Sequence, residues 1–273
     1  MRTMIDLSHW QDNKTGAPPN LAAAVNNAVD AFLFRCGRGT GTTSKNDLDP
    51  SYAMFVGQAV ELGVPWGAYW WPEPNESTPT EQAWLFTDRA HPTKIPSFLD
   101  VDIEGHRGPT LTPLAQAQWQ RTFIDELRHI TDLPIVIYTA DWYWNTNIAP
   151  AGIDFTDCDL RVAHYYPGQP PVRATGWTAW LAGRQPDPVL GFPTWAAWQF
   201  SATGNGLGPA LGMESGDVDC NVITDDTWHR WFPTVDDRLD RLTQQVTDLQ
   251  YQVASIGTAT NRPWQATTTI TRT

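Results

Sequence analysis

Phe98-Leu99-Asp100-Val101-Asp102-Ile103-Glu104 sets three carboxylates at every second position of an otherwise apolar run. A strand sends successive side chains to opposite faces, so Asp100, Asp102 and Glu104 share one face and Leu99, Val101 and Ile103 the other. Three like charges on one face of an apolar strand cost stability and are kept mainly where they do chemistry. An edge strand with a solvated acidic face would also carry the pattern. It fits less well, because the aliphatic residues and the leading Phe98 ask for burial. Glu104 runs into Gly105-His106 and so lies at the C-terminal end of the run, the end that carries the chemistry in a parallel α/β barrel.

Outward from this run, short apolar segments at 4–7, 31–35, 66–70, 97–103 and 134–139 alternate with helical patterns at 21–29, 51–62, about 79–90 and 113–130. Gly63 stops the second helix, and Thr78-Pro79-Thr80-Glu81 starts the third with proline in its first turn. Alternating strands and helices predict βα units on a parallel sheet. Beyond 139 the helices thin, and 160–165, 195–200 and 218–222 read as strands between Pro/Gly-rich loops. The fold class is therefore α/β, an irregular TIM-like barrel over residues 1–232. Residues 233–257 differ. Val235, Leu239, Leu242, Val246, Leu249, Val253 and Ile256 repeat at 4-3 spacing, a heptad seam that predicts a coiled-coil helix and a homo-oligomer. Residues 258–273 read as a flexible Thr-rich tail.

Composition narrows the function. The chain has 273 residues, 41% hydrophobic and only 18% charged, with 15 Trp, a residue whose indole face stacks on sugar rings as readily as it fills a core. A net charge of -12 argues against nucleic acid and anionic membrane as partners. Three cysteines, Cys36, Cys158 and Cys220, make neither a disulfide framework nor a zinc site. No apolar leader opens the sequence and no run is long enough to span a bilayer, so synthesis without an export signal and no membrane insertion are expected. The Gly-rich stretch from Gly37 to Lys45 lacks the Gly-Lys-Ser/Thr closure of a phosphate loop and reads as a mobile loop. No His-x-x-x-His spacing supports a catalytic metal, no Gly-x-Ser-x-Gly elbow supports acyl transfer, and no cofactor is expected.

Carboxylates near strand ends remain: Asp6 in the first strand, Asp102 and Glu104 in the fourth, and Asp217 or Asp219 near the last. First and last strands are neighbours in a barrel, so these acids meet at one mouth. Crowding and burial keep a proton on at least one of them near neutrality, which glycosidic cleavage needs. Tyr69, Trp71, Tyr138, Trp142, Tyr165 and Trp198 stand at or beyond strand ends as a sugar-stacking wall or as barrel packing. His9 and His106 flank the acids, as hydrogen-bond partners or as catalytic groups.

The ordered set Ile5-Asp6-Leu7-Ser8-His9-Trp10-Gln11, Gly67-Ala68-Tyr69-Trp70-Trp71, Asp102-Ile103-Glu104, Ile137-Tyr138-Thr139, Ala197-Trp198-Gln199-Phe200 and Val218-Asp219 resembles glycoside hydrolase family 25, the lysozyme-like N-acetylmuramidases. The resemblance covers roughly residues 4–232 and implies a (β/α)5(β)3 barrel that cuts the β-1,4 bond from N-acetylmuramic acid to N-acetylglucosamine in bacterial peptidoglycan. It implies Glu104 as general acid/base, Asp102 beside the substrate's N-acetyl group, and Asp6 and Asp219 as further catalytic acids. Tyr69, Trp71, Tyr138, Trp198, Tyr165 and Arg35, the last where many members carry Lys, become the substrate-binding set. With no export signal and an oligomerising helix, a phage endolysin held in the host cytoplasm until a holin releases it is the setting implied. A non-catalytic glycan-binding virion protein and a chitinase-like hydrolase are the competing readings. Asp100 in place of Asp102, and Asp217 in place of Asp219, stay open.

Overall fold

The computed structural model describes residues 1–12, 18–44, 47–91, 94–202 and 206–234, with the single positions 236, 243, 246 and 247. The chain divides into two compact units, Met1–Phe232 and Pro233–Thr273. Apart from Val246, the seam of the predicted coiled coil lies outside the described residues, as does the Thr-rich tail.

The first unit is a closed eight-stranded barrel in sequential order with helices around it. Its elements run β1 (Arg2–Leu7), α1 (Leu21–Asn26), β2 (Ala31–Arg38), α2 (Tyr52–Leu62), β3 (Trp66–Trp71), α3 (Pro79–Ala90), β4 (Leu99–Asp102), α4 (Pro113–Ile130), β5 (Ile135–Ala140), α5 (Asp141–Asn147), β6 (Asp159–Ala163), α6 (Trp177–Trp180), β7 (Ala197–Ser201), β8 (Asp219–Ile223) and α7 (Asp225–Trp231). Local chemistry explains the helix limits. Gly63 ends α2 in the left-handed conformation at φ 65°. Thr78 and Glu81 form a reciprocal capping box with Pro79 in the first turn of α3.

The structure adds two details and corrects one expectation. Neighbouring strands from β1 to β7 pair in parallel, but β8 is antiparallel to both β7 and β1, so the sheet is mixed. β4 stops at Asp102 rather than running on to Ile103. The ladder gains one further bond, from Ile103 N to Tyr138 O at 2.8 Å, before Glu104 turns out of it. A short helix, α5, follows β5.

A layer of aliphatic and aromatic side chains fills the space between barrel and helices. A second apolar cluster of Met4, Leu33, Phe98, Val136, Ala197 and Ile223 closes the lower barrel interior and packs against Trp231 and Phe232 at the end of the first unit. Phe98 and Trp231 stack with ring centroids 4.4 Å apart. Gly67 makes room for that plug, since a Cβ there would come within 2.4 Å of the Phe98 ring. All three cysteines are buried free thiols.

Candidate active site

Strand parity builds the site. Two residues above the apolar plug on each strand, the inward positions become polar: Met4 gives way to Asp6, Phe98 to Asp100, Ala197 to Gln199, and Ile223 is preceded by Asn221. Arg161 on β6 occupies the centre of this layer. Its Nε donates to Asp100 Oδ2 at 2.7 Å and its Nη2 to Asp100 Oδ1 at 3.2 Å. Its Nη1 reaches Asp6 Oδ2 at 3.3 Å and Asn221 Oδ1 at 3.4 Å. The guanidinium lies 4.0 Å from the centroid of Tyr138. A planar fork with fixed donors suits this dry, bidentate position better than a lysine would. Asp6 Oδ2 also accepts from Asn221 Nδ2 at 2.8 Å and Gln199 Nε2 at 3.0 Å.

One step higher the barrel opens into a cleft of about 260 Å³, lined among others by Asp6, Arg35, Tyr69, Trp71, Asp102, Glu104, Tyr138, Arg161, Tyr165 and Asp219. The antiparallel β8 explains how Asp219 arrives there. It begins β8 and pairs in register with Asp6, so a strand start meets a strand end at the same mouth. Asp217 is exposed in the preceding loop, and Asp100 is sealed beneath the cleft. Tyr138 and Tyr165 place their hydroxyls 2.8 and 2.7 Å from Gln199 Oε1.

The electrostatics favour protonated carboxyls. Burial, then repulsion from Glu104, hold Asp102 well above the usual carboxylate range. Burial also raises Glu104; the charge on Asp6 adds to the rise, while Arg161, Arg38 and a hydrogen bond with Tyr138 oppose it. Asp219 is pushed well up by burial and by the facing Asp6. Asp102 Oδ1 is buried without a hydrogen-bond partner, an acceptor left open at the edge of the cleft. The arrangement can hold a proton on one acid while keeping an acceptor beside it, the requirement for protonating a leaving group.

Of the residues predicted from sequence, the cleft gathers all four acids and Tyr69, Trp71, Tyr138, Tyr165 and Arg35. Trp198 is the exception. It is 1% exposed and packs outside the barrel against Trp195, Phe200 and Tyr166, its indole N–H bonded to His164 O at 2.8 Å. Parity is the reason: Gln199 points into the barrel, so its neighbour Trp198 must point out. Trp142 is exposed and stands apart from the residues lining the cleft. The Gly-rich stretch departs from the expected mobile loop at its start, where β2 continues through Gly37 and Arg38. Sequence reasoning missed Arg161, Gln199, Asn221 and the cleft residue Trp10. A lone Arg between Leu160 and Val162, or a Gln between Trp198 and Phe200, was the available signal for a polar barrel interior.

Two other features lie apart from the acid-lined cleft. Asp141, His164 and Asp187 bring one potential ligand atom each within 4.8 Å, and His164 is already paired with Asp187 at 3.3 Å. A larger groove of about 750 Å³ runs along the outside of β6, where Asp159 is held by Arg230 and Trp231.

A crowded set of carboxyls at the mouth of a mixed α/β barrel, walled by tyrosine and tryptophan, defines a glycoside hydrolase. The model of Glycosyl hydrolases family 25 matches residues 5–208, and the chain belongs to that family. It is 28% identical over 224 residues to Lysozyme M1 of Streptomyces globisporus, covering 80% of this chain and 66% of that protein's length. Among solved structures it resembles the bacterial lysozyme of Streptomyces coelicolor at a TM-score of 0.63 and 25% identity, covering 84% of this chain and 95% of that one. The catalytic domain of endolysin ply40 from bacteriophage P40 of Listeria monocytogenes shares the fold at a TM-score of 0.60 and 19% identity, covering 85% and 97%.

Proposed function

We propose that the protein is a peptidoglycan muramidase that cleaves the β-1,4 bond from N-acetylmuramic acid to N-acetylglucosamine. The observation that carries this reading is the pairing of Glu104, half-buried and raised toward its protonated form, with Asp102, whose Oδ1 stays buried and unpartnered in the same cleft. Glu104 donates its proton to the glycosidic oxygen as the bond breaks and then takes one from the attacking water. Asp102 accepts the N–H of the substrate's 2-acetamido group and steers its carbonyl oxygen toward the anomeric carbon. Asp102 and Glu104 are two residues apart in the chain, so their Cα atoms lie at most about 7 Å apart. That favours one acid with substrate assistance over two carboxylates on opposite faces of the sugar. Asp6 and Asp219, side by side across β1 and β8, position water and keep the cleft acidic. Arg35, Tyr69, Trp71, Tyr138 and Tyr165 hold the glycan.

Membership of the lysozyme-containing family supports the substrate. The test is the identity of the new reducing ends released from purified peptidoglycan, read by mass spectrometry. Muramic acid ends are expected; glucosamine ends would contradict the reading.

The element order of the barrel suits the (β/α)5(β)3 variant. A phage endolysin freed by a holin is the biological setting this reading favours. It predicts that cells expressing the protein lyse only when a holin is co-expressed; lysis without one counts against it. The heptads at 235–256 support a homo-oligomer that multiplies glycan contacts. Light scattering should give a mass above one chain, and a monomer mass would remove that part.

A further inference from the structure

Glu104 lies past the end of β4, where no ladder fixes it, yet its backbone neighbours on both sides are held. Ahead of it, Ile103 N bonds Tyr138 O at 2.8 Å and Ile103 O accepts from Thr139 Oγ1 at 2.7 Å. Behind it, Gly105 O accepts from Trp71 Nε1 at 3.0 Å, and Arg107 N donates to Glu73 Oε2 at 2.5 Å. The last two holds converge on one residue. Glu73 is fully buried, and its other oxygen, Oε1, takes Arg38 Nε at 2.5 Å. The Arg38 guanidinium in turn lies 3.9 Å from the ring centroid of Trp71, the indole that bonds Gly105. So one carboxylate grips the segment after Glu104 directly at 107 and indirectly at 105.

Glu73 is itself rigid. Prolines 72 and 74 flank it and restrict its backbone. Gln82 of α3 pins its N–H at 2.9 Å and its C=O at 2.7 Å. The Arg107 side chain extends the grip to the loop after β2 through Asp47 at 2.6 and 2.9 Å, and to Glu76 in the loop after β3 at 3.0 Å. Gly39 belongs to the same assembly: at φ +56° it backs onto Glu76 so closely that a Cβ would collide with the carboxylate. Arg38 and Trp71 end the β2–β3 ladder as paired residues, and the clamp stands apart from the apolar plug that fills the lower barrel.

We infer that Glu73 is a positioning residue for the reaction, which through Arg38, Trp71 and the backbone of 105–107 fixes the Glu104 carboxyl at the reacting bond. The inference rests on the reading of Glu104 as the acid/base. In Glu73→Gln the side chain keeps its size, but one oxygen becomes an amide that faces a donor. With the full chain acting on soluble peptidoglycan fragments, kcat should fall about 10- to 100-fold, the scale of a misplaced catalytic group, while KM stays within about two-fold. Arg38→Lys keeps the charge near Glu104 but loses the fork and should show the same split, which settles the matter should Glu73→Gln fail to fold by circular dichroism. Wild-type kcat in folded Glu73→Gln or in Arg38→Lys, or a loss confined to KM, overturns the inference. Glu104→Gln assayed alongside separates the two readings. If that variant is inactive while Glu73→Gln is fully active, the clamp alone fails; if it turns over normally, the acid assignment fails and the clamp with it.

Discussion

Asp6 shows how a single carboxylate serves two layers. Its Oδ2 collects donors from Arg161, Asn221 and Gln199, and its charge acts on both Glu104 and Asp219 above. Asn at position 6 can present its carbonyl oxygen to the same donors, so the fold should survive. The charge, however, is gone, and Arg161 then acts less opposed on Glu104. Both changes lower the pKa of Glu104. A general acid works only while protonated, so the alkaline limb of the activity profile should move to lower pH in Asp6→Asn. A pH–rate profile checks it; an unmoved or upward-shifted limb would contradict the electrostatic account. At this scale the acids were legible because each one interrupts an apolar run. The choice between Asp102 and Asp100 stayed open in the sequence, and burial of Asp100 one pleat deeper, outside the cleft lining, places Asp102 in the cleft. Trp198 was misread because a strand-end aromatic looks alike from either face until its neighbours are weighed, and Gln199 was the neighbour that decided. Arg161 passed unnoticed for a related reason: its worth lies in partners on β1, β4 and β8, none near it in sequence.

Elements follow the same division between local and distant causes. Helix α3 could be read from Thr78, Pro79 and Glu81 because a capping box is made within four residues. The direction of β8 could not, since an apolar run reads the same whichever way its partner strands point. That direction is what delivers Asp219 to the mouth, so the one unreadable feature of the sheet decides one of the four acids. Helix α7 is similar. Its seven residues are a weak helix signal, yet its last residue stacks on Phe98 and donates from its indole N–H to Asp159 Oδ2 at 2.7 Å. Trp231 therefore ties the end of the first unit to β6 and to the start of the strand that carries the acids. Trp231→Ala should cost about 3–5 kcal/mol of stability, the range for an aromatic removed from a packed core. Urea unfolding of the variant measures it, and a loss below about 1 kcal/mol would show that the plug is dispensable.

For the whole molecule, the architecture separates stability from chemistry along the barrel axis. The lower interior is apolar, a charged but hydrogen-bonded layer sits above it, and Asp102, Glu104 and Asp219 face the opening, with Asp102 Oδ1 lacking a partner. Arg161 offsets only part of the negative charge gathered around it, so burial and repulsion leave Asp102, Glu104 and Asp219 with raised affinity for protons. On the proposed mechanism, the cost of holding those acids together is what lets one of them keep a proton for a leaving group. The account stands on Glu104 as the group that gives that proton, and Glu104→Gln tests it most directly. The variant should keep its circular dichroism spectrum, melting temperature and binding to purified peptidoglycan while releasing no detectable reducing ends; turnover near the wild-type rate in that folded variant would contradict the account.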